Sequence, residues 1–236
     1  MAAARIAISA IIIALPYVAM AQSVLCSSSP TTNGTSVSCS ATQGIPGADT
    51  IWAVANADVS SVVCDFSSSM GQASLLLHHS SLSNLDLILC RSPQSYGSTT
   101  TGASWSGSAG ARPLRAIILS IGNSEHKETI ANAAAGATSL TVNASSQQCN
   151  GDAYSVASVA IRGSLPTVTA TSGWALVGGN FQTATISGYT RNIGLYYSPS
   201  FGSFNVTLSA GRDMIVAVSR FCKVRRAQSD DIILWD

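Results

Sequence analysis

The chain has 236 residues, only 10% of them charged, and a formal net charge of +1. Ordinary soluble domains carry about 25% charged residues, so this surface is built mainly from neutral polar side chains. A charge so close to zero excludes nucleic acid as a partner, because that binding is driven by clustered Lys and Arg displacing counterions.

The first segment, "MAAARIAISAIIIALP", sets one cation, Arg5, before an apolar run that breaks at Pro16. That is the n-region and h-region of a signal helix. Residues 6–21 fall short of the about 20 apolar residues that cross a bilayer. Ala19-Met20-Ala21 supplies the small residues of a cleavage site, so cleavage after Ala21 is expected. An uncleaved anchor is the alternative, and residues 1–21 would then be the only membrane contact. Lipidation at Cys26 is disfavoured by the bulky Val24 and Leu25 before it. The chain is therefore expected to be exported, to the periplasm, the cell surface or the medium.

Taking residues 1–21 from 236 leaves 215, enough for one large β domain or two of about 100 residues. Cys26, Cys39, Cys64, Cys90, Cys149 and Cys222 form an even set behind a signal sequence, which in an oxidising compartment points to disulfides. Nearest-neighbour pairing (26–39, 64–90, 149–222) closes the shortest loops at least entropy. Zinc is the competing reading, but neither a C-x-x-C nor a C-x-x-H spacing occurs.

After residue 22 the apolar pattern is that of short strands rich in β-branched and aromatic residues, separated by Gly, Ser, Asn and Pro. The expected strands are "TIWAVA" (50–55), "VSSVVCDF" (59–66), "ASLLLHH" (73–79), "LDLILC" (85–90), "LRAIILSI" (114–121) and "TSLTVN" (138–143). They continue as "AYSVASVAIR" (153–162), "WALVG" (174–178), "ATISGYT" (184–190), "IGLYYS" (193–198), "FNVTLS" (204–209) and "DMIVAVSRF" (213–221). The expected class is all-β, an antiparallel sandwich or jelly roll in two β regions. In "SFNVTLS", Phe204, Val206 and Leu208 share one face and Asn205 and Thr207 the other, and Leu140 and Val142 oppose Thr141 and Asn143 in the same way.

Two interruptions divide this pattern. The Gly/Ser/Thr-rich stretch 91–113 reads as an exposed loop, and the charged "GNSEHKET" (122–129) as a boundary. The expected organisation is an N-terminal β region at 22–122, a linker at 123–129, a C-terminal β-sandwich at 130–223 and a tail at 224–236, with one larger sandwich as the alternative. The tail ends in "DIILW". It is either a last strand packed on its own domain or an element that adds to the sheet of a neighbouring subunit.

Asn33, Asn143 and Asn205 open N-x-S/T triplets and are candidate glycan acceptors in a eukaryotic host. The alternative is chance, since Ser and Thr are abundant. Serine-hydrolase machinery needs a serine, a histidine and a carboxylate together. His78 and His79 are adjacent in a strand and His126 lies in the charged boundary, so no catalytic residue is assigned. No paired-carboxylate, phosphate-loop or metal motif appears, and no metal or cofactor is expected. Trp105 in the polar stretch, Tyr196 in "LYY" and Trp235 in the tail are the candidate contacts to a partner or a glycan.

Gly151-Asp152, Gly173-Trp174 and Tyr196-Tyr197 occur in order before a closing apolar strand. In this, residues 151–221 resemble the β-sandwich modules of bacterial cell-surface proteins and of phage tail or virion appendages. The resemblance implies an extracellular binding or structural module and carries no catalytic residue with it. The leading expectation is an exported, disulfide-stabilised structural or adhesive component of a surface assembly, either self-associating or held by protein partners. A secreted carbohydrate-binding module is the alternative, and a secreted hydrolase the third.

Overall fold

The computed structural model describes residues 22–30, 32–68, 72–119, 124–143, 149 and 152–224. The signal helix, the Ala21 cleavage site, Trp235 and the tail beyond Val224 lie outside the described residues. Thirteen strands and no helix are found among them. They form two antiparallel sheets. The first holds β1 (Gln22–Ser28), β2 (Gly34–Asn56), β3 (Ser60–Ser67), β4 (Ser74–Leu82), β5 (Leu85–Ala109) and β6 (Leu114–Leu119), in the order β1-β6-β2-β5-β3 with β4 also on β5. The second holds β7 (Ser124–Val142), β8 (Ala153–Arg162), β9 (Val168–Ala170), β10 (Ala175–Leu176), β11 (Gln182–Ile186), β12 (Tyr189–Ser198) and β13 (Phe204–Lys223). Its order is β10-β12-β8-β13-β7, with β11 on β12 and β9 on β13.

Each sheet is built on a long two-stranded ribbon that bends and folds its outer half back over its own sheet. In the first ribbon the register of β2 on β5 breaks between Gln43 and Ala48, beside Gly47 and Gly97 with φ of 73° and 81°. In the second, β7 and β13 turn together where Gly211 meets Gly136; a Cβ on Gly211 would lie 2.5 Å from the Gly136 carbonyl oxygen. Only glycine permits an approach that close.

Strand alternation then feeds three large cores. Ile51, Ala53, Leu87, Leu89 and Ile117 of the first sheet pack against Val156, Ile193, Leu195, Tyr197, Ile215 and Phe221 of the second. The opposite face of the first sheet, through Trp52, Val54, Ile88 and Leu114, is covered by its own folded-back arm, which contributes Val37, Ala103 and Trp105. The opposite face of the second, through Val159, Tyr196, Met214 and Val216, is covered by Val142, Phe204, Val206 and Leu208. Full burial of each large apolar side chain contributes about 1.5–3 kcal/mol. The two sheets thus meet through one large shared cluster and a small one of Ala111, Ala184 and Ile186, and each keeps a second core of its own.

All six cysteines are paired: Cys26–Cys39, Cys64–Cys90 and Cys149–Cys222, with Cα atoms 5.8, 6.0 and 5.5 Å apart. This is the order that shortest-loop closure favours. Cys26 on β1 and Cys90 on β5 belong to the main layer of the first sheet, and Cys39 on β2 and Cys64 on β3 to its folded-back arm. Both bridges therefore staple arm to sheet across the outer core. The third ties the β7–β8 connection to the end of β13.

Two expectations are corrected. Residues 91–109 are the continuation of strand β5, not an exposed loop. Their Ser, Thr and Gly residues pair with β2 on one side and β3 on the other, while Thr99, Thr101, Ala103 and Trp105 point inward and are buried. Residues 124–129 open strand β7 rather than a linker. Alternation sorts their charges: Glu125 and Lys127 pair with each other at 2.6 Å on the outside, while Ser124 bonds Tyr154 and Glu128 bonds Arg220 on the other side.

Candidate functional site

The seam between the two sheets is apolar in the middle and polar at its ends. At one end, Asp49 on β2 accepts from Arg91 on β5 at 3.0 Å and from the Tyr154 hydroxyl on β8 at 2.6 Å. Ser124 at the start of β7 also bonds Asp49, and its hydroxyl lies 2.7 Å from that of Tyr154. The Arg91 guanidinium donates to the Ser124 carbonyl at 2.8 Å and lies over the Phe221 ring at 4.9 Å. Burial, with Asp49 beside it, pushes the Tyr154 hydroxyl well above its ordinary range. Asp49, Arg91 and Tyr154 are closed from solvent and Ser124 is half-buried over them, so the group ties the sheets together. Nearby, His126 packs on Phe221 and bonds Thr129 at 2.9 Å; burial and the neighbouring Arg91 lower its pKa.

A second seal runs along the side of the seam. Arg115 on β6 donates to Ser27 at 3.0 Å in its own sheet and to the Asn180 carbonyl at 2.6 Å in the other.

The opposite end of the seam is open. Four turns converge there: Asn33 between β1 and β2, Ala57 and Asp58 after β2, Asn84 before β5, and Ser187-Gly188 between β11 and β12. Asn33, Ala57, Asp58, Asn84 and Ser187 from these turns, with Gly110, Ile186, Tyr189 and Arg191, line a pocket of about 230 Å³. Ser187 and Gly188 both have positive φ, 52° and 78°, which is the two-residue hairpin turn matched to strand twist. Asp58 and Asn84 occupy the same left-handed region at 49° and 62°, a conformation their side chains tolerate. Arg191 forms the floor: it donates to the Asn84 carbonyl at 3.0 Å and to the Ala111 carbonyl at 3.0 Å, bridging the two sheets.

The other open feature is an edge. β7 is 19 residues long and pairs only with β13 among the described strands. From Thr129 to Val142 it carries no charged residue and no proline. Its Ala135, Thr138 and Ser139 side chains are exposed.

The sequence candidates fall as follows. Trp105 is only 6% exposed and belongs to the first sheet's outer core, so it anchors the arm and offers no contact surface. Tyr196 is 4% exposed, packed against Phe204 at 5.1 Å, and its hydroxyl is pushed up to about 12 by burial. Tyr197 faces the core between the sheets and Tyr196 the opposite side, which the folded-back arm covers as well. Asn33 is exposed on the pocket rim and Asn143 exposed at the end of β7. The Asn205 amide donates to Ser139 at 2.9 Å and Thr141 at 2.8 Å on β7. His78 sits 3.9 Å from Asp86, and His79 accepts from the Ser81 N–H at 3.4 Å. Among the described residues no group of three or more His, Cys, Asp or Glu is placed to hold a metal ion. The residue the sequence reading passed over is Tyr189, 51% exposed beside the pocket; its position directly after the Ser-Gly turn was the available signal.

No known family model, no curated protein and no solved structure matches this chain.

Proposed function

We propose that the chain is an exported structural or adhesive subunit of a surface assembly, an envelope, filament or virion, whose copies join by strand addition at β7. The disulfides carry the coarser part: three bridges with no free cysteine among the described residues suit an oxidising extracellular or periplasmic setting. The single observation behind the finer part is the β7 edge. Soluble proteins blunt a long edge with Lys, Pro or a covering element, because its unpaired N–H and C=O groups template pairing with another chain; the Thr129–Val142 stretch of β7, bent at Gly136, has neither residue type on either side of the bend. The proposed occupant is the "DIILW" segment of a neighbouring copy, an apolar run separated from β13 by a polar, charged spacer.

Sedimentation velocity on the oxidised protein tests this. Wild type is expected to form species larger than one chain, and both deletion of 228–236 and the double variant Ala135→Lys/Thr138→Lys to give a folded single chain. A wild type that sediments as one chain at every concentration, or a deletion variant that still assembles, overturns the reading. A deletion variant that fails to fold assigns the tail to its own domain instead.

A further inference from the structure

We propose that the pocket at the open end of the seam binds one ring of a neutral saccharide. The inference rests on the pocket alone and holds whether or not copies associate through β7.

The lining carries an unusual surplus of uncommitted polar groups. The side chains of Asn33, Asn84, Ser187 and Tyr189 make no hydrogen bond to another described residue, and Asp58 uses only its Oδ1, which accepts the Asn84 N–H at 3.4 Å. Two amides, two hydroxyls and a carboxylate oxygen offer donors and acceptors side by side. That is the complement of vicinal hydroxyls, each of which gives one hydrogen bond and accepts others. Other polar side chains at the seam, Asp49, Ser124, Tyr154 and Arg115 among them, are engaged in the bonds described above, so this concentration of free groups belongs to the pocket.

Charge narrows the class. Arg191 is held to the Asn84 and Ala111 carbonyls by both its terminal nitrogens and its Nε, and it lies in the field of Asp58. Its cation is thus committed to the protein, and the exposed Asp58 carboxylate repels phosphates and acidic sugars. An amine finds Asp58 but meets the fixed Arg191 beneath it. A neutral polyol meets neither penalty. The apolar part of the lining fits the same class: the half-exposed Tyr189 ring offers its face to the C–H side of a pyranose, above the nearly buried Ile186 and Ala57. A volume of about 230 Å³ is below the roughly 300–1,000 Å³ of pockets that enclose drug-sized ligands, so one ring enters and the rest of a glycan stays outside.

The test is saturation-transfer NMR on oxidised protein made in a host that does not glycosylate, which keeps Asn33 bare. The probes are the methyl glycosides of glucose, galactose, mannose, N-acetylglucosamine and N-acetylgalactosamine, with sialic acid and glucose 6-phosphate as charged controls. At least one neutral glycoside is expected to show transfer and the charged controls none. Tyr189→Ala and Asp58→Ala are each expected to raise Kd by about tenfold or more, the loss of one well-placed contact, while Tyr189→Phe keeps the ring and falls between. Tyr189 is exposed and its variants should keep the wild-type melting temperature, whereas Asp58 is exposed but left-handed and holds the Asn84 N–H, so Asp58→Asn, which keeps the turn and removes the charge, is measured beside Asp58→Ala. Binding by none of the neutral glycosides, transfer to the charged controls alone, or a Kd unchanged in both alanine variants overturns the proposal.

Discussion

Replacing both cysteines of the Cys149–Cys222 bridge by alanine should cost more stability than the same change at Cys26–Cys39. A cross-link acts mainly on the unfolded chain, whose lost closure entropy grows with the logarithm of loop length. Sequence separations of 73, 26 and 13 convert to about 4.4, 3.5 and 3 kcal/mol at 25 °C. Packing adds to the middle value, because Cys90 is fully buried in the first sheet's outer core and its sulfur leaves a void there. Between the outer two the closure term differs by about 1.5 kcal/mol, a little over tenfold in the folding equilibrium, and the buried Cys222 adds to the larger value. Equilibrium unfolding in guanidinium chloride, followed by Trp fluorescence, measures it, with the denaturant slope expected to rise as the freed chain exposes more surface. Equal costs, or a larger cost at Cys26–Cys39, would refute the reasoning.

The glycine corner predicts that Gly211→Ala loses about 1–3 kcal/mol, since its Cβ would meet the Gly136 carbonyl. Gly44→Ala, with nothing within 4 Å of the added carbon, should be neutral or gain up to about 1 kcal/mol through the unfolded state; denaturation midpoints separate the two. The difference in alkaline ultraviolet titration between wild type and Tyr196→Phe should place Tyr196 at about 12. Because burial raises that pKa, its contribution is complete below the ordinary value of 10.0 and is lost as pH climbs toward about 12. His126 behaves in the opposite sense. Its folded pKa is lowered, so its contribution is present above 6.5 and is lost as pH falls through the folded value. His126→Gln should flatten the decline of melting temperature with acidification, and an unchanged slope would remove His126 from that account.

How far the sequence carries this structure depends on which face of a strand holds the apolar residues. "AYSVASVAIR" is β8 residue for residue, and the alternation in "FNVTLS" holds, with Phe204, Val206 and Leu208 buried. What hydrophobicity does not reveal is the folded-back arm. From Val37 to Gln43 burial alternates strictly, but the inward positions are Val37, Cys39, Ala41 and Gln43, too small or too polar to read as a strand among serines. From Thr99 to Trp105 the inward positions Thr99, Thr101 and Ala103 are again small or polar, and only Trp105 is large and apolar. The bends were equally hidden: 204–209 and 213–221 read as two strands, yet they are two halves of β13 joined at Gly211. Once the arms are missed, Tyr196 and Trp105 look exposed, because the layer that buries them is absent from the reading. The pocket is less legible still, since it gathers four turns from both sheets, and turn residues reveal their conformation but not their neighbours.

Alkylation of the protein taken from its native host decides whether this is an exported chain stapled by three disulfides. Unfolded without reductant and treated with iodoacetamide, it should take up no label, and non-reducing peptide mapping should recover the pairs 26–39, 64–90 and 149–222. Labelling of the six cysteines before any reduction, or a different set of pairs, would contradict both the stapled architecture and the oxidising compartment on which the proposed role depends.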